Sequence, residues 1–290
     1  ELFIRKPEEE ARYLHNPTGS AWGELFLGID KILRKIEPML PRTARQRALK
    51  AAVKFIKPRL NGEDGLGGIF PAMANAVMAF EALGYPKDDP DLLTAKSSIQ
   101  KLLRLDGEKG FCQPCLSPIW DTGLAVHSLA EANGSDETKE LSRAATWLAE
   151  KQILDVEGDW ADNRPGLRPG GWPFEYANDY YPDVDDTAVV ALALDRMDRE
   201  KFRENIERAA EWIVGMQSKN GGWGSFDADN TYEYLNHIPF ADHGALLDPP
   251  TADVTARCVG MLAQLDAEKY TSEITRGVEY LKADQEDKGS

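Results

Sequence analysis

Apolar side chains recur at i, i+3 and i+4 through residues 145–149, 205–216 and 274–281, the period of amphipathic helices. Residues 187–194 read Thr-Ala-Val-Val-Ala-Leu-Ala-Leu, apolar on nearly every face, which predicts a helix buried all round. No segment alternates strictly over six residues, so no strand is expected. Between the helical segments lie stretches rich in Gly, Pro, Asn and Asp, notably 157–181 and 218–250. They exceed the ~12–15 residues usual for structureless connections, and connections of that length are often functional. The pattern predicts an all-α chain with long irregular links.

The helical segments repeat. Trp147-Leu148-x3-Gln152 leads to Gly158-Asp159-Trp160, and Trp212-Ile213-x3-Gln217 leads to Gly221-Gly222-Trp223. Tyr280-Leu281-x3-Gln285 leads to Gly289-Ser290, and the Gln-to-Gln steps are 65 and 68 residues. A second series, Trp120-Asp121-Thr122-Gly123, Asp185-Asp186-Thr187-Ala188 and Asp253-Val254-Thr255-Ala256, has Thr-to-Thr steps of 65 and 68 as well. Two motifs sharing one unequal spacing define a two-helix unit: a buried helix opening at the Thr, and an amphipathic one ending in Gln…Gly-x-Trp. Alternating buried and surface helices predict an α/α toroid with an inner and an outer ring. The Gly-x-Trp would lock the end of each outer helix, its indole N–H finding an acceptor. Inner helices run in one direction, so Trp120, Asp185 and Asp253, each two before a Thr, should gather at one end of the barrel.

Composition narrows the function. With 290 residues, 42% hydrophobic and 29% charged, the chain can hold one large domain or two modest ones. Thirty-four basic residues stand against 49 acidic, a net charge of −15 with no Lys/Arg cluster, which argues against a nucleic-acid partner. Three cysteines do not make a disulfide framework, and Cys112-Gln113-Pro114-Cys115 lacks the second pair of a zinc site. His15, His127, His237 and His243 show no ligand spacing; His127 and His237 read as structural. No metal and no cofactor is expected. No apolar run reaches 18 residues, so no transmembrane helix is predicted. Residues 22–40 place Leu25, Phe26, Ile29, Ile32, Leu33 and Ile36 opposite Lys31, Arg34 and Lys35. Such a segment is either a core-facing helix or one lying in a membrane surface.

The sharpest chemical feature is Tyr180-Tyr181-Pro182-Asp183-Val184-Asp185-Asp186-Thr187. One Asp at a helix start is explained by capping, but three carboxylates within four residues exceed that need. Crowding should leave at least one protonated, while the helix dipole and a nearby cation would stabilise the conjugate base. That combination makes a strong general acid.

Asp183-Val184-Asp185-Asp186-Thr187-Ala188 with the Gln…Gly-x-Trp repeats resembles the squalene–hopene cyclases, the prokaryotic triterpene cyclase family. The likeness extends to Ser117-Pro118-Ile119-Trp120-Asp121-Thr122-Gly123-Leu124-Ala125, Arg168-Pro169-Gly170-Gly171-Trp172, Asn236-His237-Ile238-Pro239-Phe240 and Asp248-Pro249-Pro250-Thr251, and so covers almost the whole chain. The resemblance implies a terpene cyclase/protein prenyltransferase-like α6/α6 barrel, present here incompletely. Residues 1–100 would be the end of an inserted second barrel, and 101–290 the first part of the catalytic barrel. The missing Met at Glu1 and the stop within a third repeat agree with that expectation.

The implied activity is proton-initiated cyclisation of squalene to hopene and hopanol. Asp185 would be the general acid, Asp183 and Asp186 its supports, and Asp253 and Arg257 the third helix's contribution. The family often has His where this chain has Arg257, and a guanidinium cannot relay a proton. Trp120, Asp121, Phe174 and Phe226 would line the cavity, the aromatic faces stabilising cations without trapping them. Squalene is a membrane-dissolved hydrocarbon, so the resemblance also implies a monotopic protein on the cytoplasmic face of the cell membrane, with the lipid surface as partner. A homodimer stays open, as does a related cyclase on another polyprene. From other classes, an α/α-toroid carbohydrate enzyme would also use paired carboxylates, and a repeat scaffold would need no acid.

Overall fold

The computed structural model describes residues 15–16, 18–133, 138–239, 246–286 and 289. The chain divides into two compact units, Glu1–Ala51 with Asn230–Asp248, and Ala52–Asp229 with Pro249–Ser290.

In the first unit, α1 (Ala21–Ile36) starts at Ser20, whose hydroxyl accepts from the Gly23 N–H. A 3₁₀ turn, Glu233–His237, packs against it, with the Trp22 and Tyr234 ring centroids 5.5 Å apart. Only Gly23 and Leu27 of α1 are buried; Trp22, Leu25, Ile29, Ile32, Leu33 and Ile36 are exposed. His237 Nδ1 lies 3.0 Å from the Thr18 hydroxyl, while His243 falls outside the described residues. The helix α2 (Arg42–Ile56) bridges the sequence boundary of the two units.

The second unit holds α3 (Phe70–Ala82), α4 (Pro90–Leu102), α5 (Pro118–Asn133), α6 (Lys139–Glu150), α7 (Val184–Asp198), α8 (Arg203–Met216), α9 (Ala252–Asp266) and α10 (Thr271–Asp284). Helix α7 packs on both α5 and α9, making an inner row. Outside it, α6 lies on α5 and α7, α8 on α7, and α10 on α9. This is an arc of the expected α/α toroid. The apolar run after Thr187 is buried as its composition demands, with Ala188 to Ala191, Ala193 and Leu194 all sequestered. One continuous core runs from Ile119 on α5 to Leu262 on α9, and a smaller one around Phe80 and Leu92 lies between α3 and α4. Among the described residues no helix is long and apolar enough to cross a membrane.

Two expectations are corrected. A hairpin is present: β1 (Leu103–Asp106) pairs antiparallel with β2 (Lys109–Cys112). Each strand is four residues long and exposed along its length, too short for alternation to show. The overlooked signal was Asp106-Gly107, a hairpin dipeptide with Gly107 at φ +57°.

The second correction concerns the first repeat. Gln152 Nε2 donates to the Gly170 carbonyl at 2.8 Å, and Trp172 Nε1 to the Leu148 carbonyl at 2.6 Å. In the next repeat Gln217 Nε2 donates to Gly221 at 2.8 Å and Trp223 Nε1 to Ile213 at 2.7 Å. The partner of Gln152 is thus Gly170-Gly171-Trp172, not Gly158-Asp159-Trp160, because a longer loop intervenes. Trp160 serves otherwise, edge-on to Trp212 in the core, its N–H without a hydrogen-bond partner. Gly170 and Gly221 are equivalent. A Cβ there would stand 2.5 Å from the carbonyl of Arg208 or Arg276 on the following outer helix, so only glycine allows the approach. Each Trp also ties its loop to an inner helix: the Trp172 N–H donates to Thr187 Oγ1 at 2.9 Å, and the Trp223 N–H to Thr255 Oγ1 at 3.0 Å. In both units the loop Trp and the inner-helix Thr are thus hydrogen-bonded to each other, although 15 residues separate them in one and 32 in the other.

Candidate active site

Helix α7 begins on Asp183, whose Oδ1 accepts from the N–H groups of Asp185 (2.7 Å) and Asp186 (3.2 Å). Asp183 is the capping residue that the local sequence demanded. The start is pinned from two sides. The Asp183 N–H donates to the Trp172 carbonyl and the Val184 N–H to the Ser225 carbonyl, both at 2.8 Å. Those bonds bring Phe174 and Phe226, two and one residues further along their loops, beside the helix start. Phe174 is half-buried and Phe226 exposed.

Asp185 and Asp186 occupy the first turn, and their environments differ. Asp186 is 1% exposed and its Oδ1 has no hydrogen-bond partner. Burial first, then the charges of Asp183, Asp185 and Glu175, push its carboxyl up to about 9. Asp185 is half-buried; burial raises it, Asp253 adds to the rise, and Arg257 opposes it. Arg257 Nε stands 2.6 Å from Asp185 Oδ1. Neither atom has an aligned hydrogen bond, so the pair is a contact of charges. The Arg257 guanidinium also lies 5.0 Å from the Trp120 ring centroid, in cation–π range. Asp253 is exposed and held low, first by the Thr251 hydroxyl, with Arg257 contributing.

The first turns of α5, α7 and α9 therefore converge, as parallel inner helices should, and bring Trp120, Asp183, Asp185, Asp186, Asp253 and Arg257 together. Asp121 points elsewhere: it is exposed, and its Oδ2 accepts from Ser117 Oγ at 2.9 Å within its own first turn. A concavity of about 870 Å³ lies among Gln152, Arg168, Arg208 and Glu211, away from the acid cluster. Its lining is charged and it is open to solvent, which does not suit a dry cation chemistry. Among the described residues no group of three His, Cys, Asp or Glu gathers as a metal site; Cys112 is exposed on β2.

One site residue was not singled out from the sequence. Glu175 is 6% exposed, and burial is the main reason its carboxyl rises to about 7. It follows Phe174 directly, yet nothing in its spacing distinguishes it from a surface glutamate.

Comparison with known proteins bears directly on this arrangement. The family model described as squalene-hopene cyclase C-terminal domain matches residues 116–290, and that of the N-terminal domain matches 1–107. The chain belongs to the squalene–hopene cyclase family. It is 53% identical over 280 residues to a squalene–hopene cyclase of Zymomonas mobilis, covering 93% of this chain and 43% of that protein. Identity is 50% to the enzyme of Bradyrhizobium diazoefficiens, over 100% of this chain and 45% of the relative. For Alicyclobacillus acidocaldarius it is 40%, over 94% and 43%. The chain thus spans a little under half the length of these cyclases. The α/α arc is the part of the family fold that it contains.

Proposed function

We propose that the protein takes part in cyclising squalene to hopene and hopanol, with Asp185 protonating a terminal alkene. The observation that carries this reading is the Asp185–Arg257 pair beside Trp120 at the mouth of the inner helices. Burial raises the Asp185 carboxyl, and the fixed guanidinium, which opposes that rise, stabilises the carboxylate left when the proton departs. The first raises the share of Asp185 that carries a proton, and the second favours its transfer to a weak base such as an alkene. Asp183 fixes the helix start, and Asp186, neutral at physiological pH, avoids placing a second anion beside the acid. The indole of Trp120 and the rings of Phe174 and Phe226 offer π faces to the cation that follows. In this reading Asp253 supports Arg257, and Asp121 belongs to the cavity rim through its helix start alone. Such an enzyme is an isomerase, and the family's remaining repeats would complete the cavity, so these 290 residues alone would not cyclise squalene.

Residues 1–100 are read as the end of the inserted barrel and 101–290 as the opening of the catalytic one. The exposed apolar face of α1 supports seating on the cytoplasmic face of the cell membrane, where the hydrocarbon dissolves.

The test incubates a protein carrying this chain at the length of its relatives with squalene in detergent, beside Asp185→Asn. Pentacyclic product, lowered by at least about 10²–10⁴-fold in the variant, is the expected result. Product from a different polyprene but not from squalene would change the substrate; unchanged product in Asp185→Asn would remove Asp185 as the acid.

A further inference from the structure

An acid consumed once per turnover must be recharged. Arg257, the cation touching Asp185, never releases a proton at accessible pH, so it cannot do this. Glu175 stands on the other side of the cluster. Its segment is pinned to the start of α7 by the Trp172 bonds to Asp183 and Thr187. Its carboxyl is packed on Gly68, at φ +65°, where a Cβ would come within 2.2 Å of the carboxyl carbon. Glu175 Oε2 accepts from Asn178 Nδ2 at 3.3 Å. Asn178 Oδ1 accepts in turn from Asn61 Nδ2 at 3.0 Å, which holds the 61–68 turn against the glutamate. Between turn and glutamate is a cavity of about 20 Å³ lined by Glu63, Asp64, Ser98, Lys101 and Glu175. That is room for one water with several polar partners. At its outer edge Glu63 pairs with Lys101 at 2.5 Å, both side chains largely open to solvent.

We propose that Glu175 is the proton-supply residue of the acid cluster, passing protons inward from the Asp64 cavity to Asp186 and so to Asp185. This rests on the reading of Asp185 as the acid. The path balances. When Asp185 gives its proton to the alkene, one O–H bond breaks and one C–H bond forms, leaving a carboxylate. No hydrogen bond joins these carboxyls directly, so in this route Asp186 passes its proton to Asp185, and Glu175 to Asp186, across intervening water, and solvent recharges Glu175 through the cavity water and Asp64. Each transfer breaks and makes one O–H bond; the product cation later returns one proton to water. Proton affinity rises from Glu175 to Asp186, and the last transfer, to the Arg257-paired Asp185, is drawn by loss of that proton to the alkene. Asp64 is raised by burial, Glu175 reaches about 7 and Asp186 about 9. The charged or titratable groups facing Glu175 are Asp183 and Asp186 from the start of α7, Glu63 and Asp64 from the turn, Lys101 from α4, and Cys115 ahead of α5. Lys151, after α6, acts on Asp64.

The experiment compares the first turnover with later ones, using a protein of the relatives' full length in detergent with squalene. Glu175→Gln keeps the shape and the bond to Asn178 but carries no exchangeable acid proton. Its first turnover, on an acid already charged, is expected at the wild-type rate, and its steady-state rate about 10–100-fold lower. The wild-type steady-state rate should fall as pH rises through about 7, and this dependence should vanish in Glu175→Gln. Asp64→Asn, at the outer and more exposed end, should likewise slow only the later turnovers and serves if Glu175→Gln does not fold. Wild-type steady-state rates in either folded variant would overturn the proposal. So would a first turnover slowed as much as the rest, which marks a structural role. A wild-type protein giving no cyclic product would instead overturn the assignment of Asp185, and the supply route with it.

Discussion

Replacing Thr187 with Val tests the joint between the loop Trp and the inner helix. The hydroxyl is fully buried and does two things: it accepts from the Trp172 N–H at 2.9 Å and donates to the Asp183 carbonyl at 2.6 Å. Valine has nearly the same shape, so no cavity opens. The Asp183 carbonyl keeps the Thr187 N–H, at 3.0 Å, as a partner. The Trp172 N–H is left stranded, which costs about 1–3 kcal/mol, and losing the second bond adds about 0.5–1.5 kcal/mol. Thr187→Val should therefore cost about 2–4 kcal/mol. Thr255→Val, which strands the Trp223 N–H in the equivalent joint, should cost about 1–3 kcal/mol. Thr187→Ser keeps the hydroxyl and loses one methyl group, roughly 1 kcal/mol. Urea unfolding followed by tryptophan fluorescence measures all three. If Thr187→Val loses no more than Thr187→Ser, the hydroxyl does not join loop to helix and the account of this joint fails.

Two further outcomes follow from the same geometry. Asp186 is raised in the native state to about 9, against about 3.9 for an unfolded Asp. Between these values the native state holds a proton that the unfolded state has released, so this group's contribution to stability declines as pH rises from about 4 to 9. Asp186→Asn should therefore lose less stability than wild type between pH 5 and pH 8, read as urea midpoints; an identical decline in both would refute the assignment. On the proposed membrane surface, Leu25→Glu with Ile32→Glu places two charges on exposed apolar positions of α1 and should abolish flotation with phospholipid vesicles. Unchanged flotation would remove α1 as the contact.

Much of this protein was legible in its sequence because the relevant signals are local or periodic. Burial of the run after Thr187 follows from its apolar composition, and the cap at Asp183 from a side chain that reaches only its own helix start. The two repeat series forecast an inner and an outer row of helices, and the convergence of Trp120, Asp185 and Asp253 follows from that parallel arrangement. The four-residue strands escaped notice because two exposed faces leave no alternation to read.

What the tertiary structure alone decided concerns groups distant along the chain. Gly158-Asp159-Trp160 is the nearer match to Gln152 along the chain, and only the bonds to the carbonyls of Leu148 and Gly170 reveal Gly170-Gly171-Trp172 as its partner. Asp121 shares its motif position with Asp186, yet it is exposed and bonded to Ser117 while Asp186 is buried, a difference that lies in what packs around each helix start. Glu175 acquires its character from Gly68 and Asn178 and from the buried charges near it, and burial is a property that no single-chain spacing encodes. The sequence determines which side chains can cap, pack and repeat. Packing determines which carboxyls lose their water, and so which of them keep a proton.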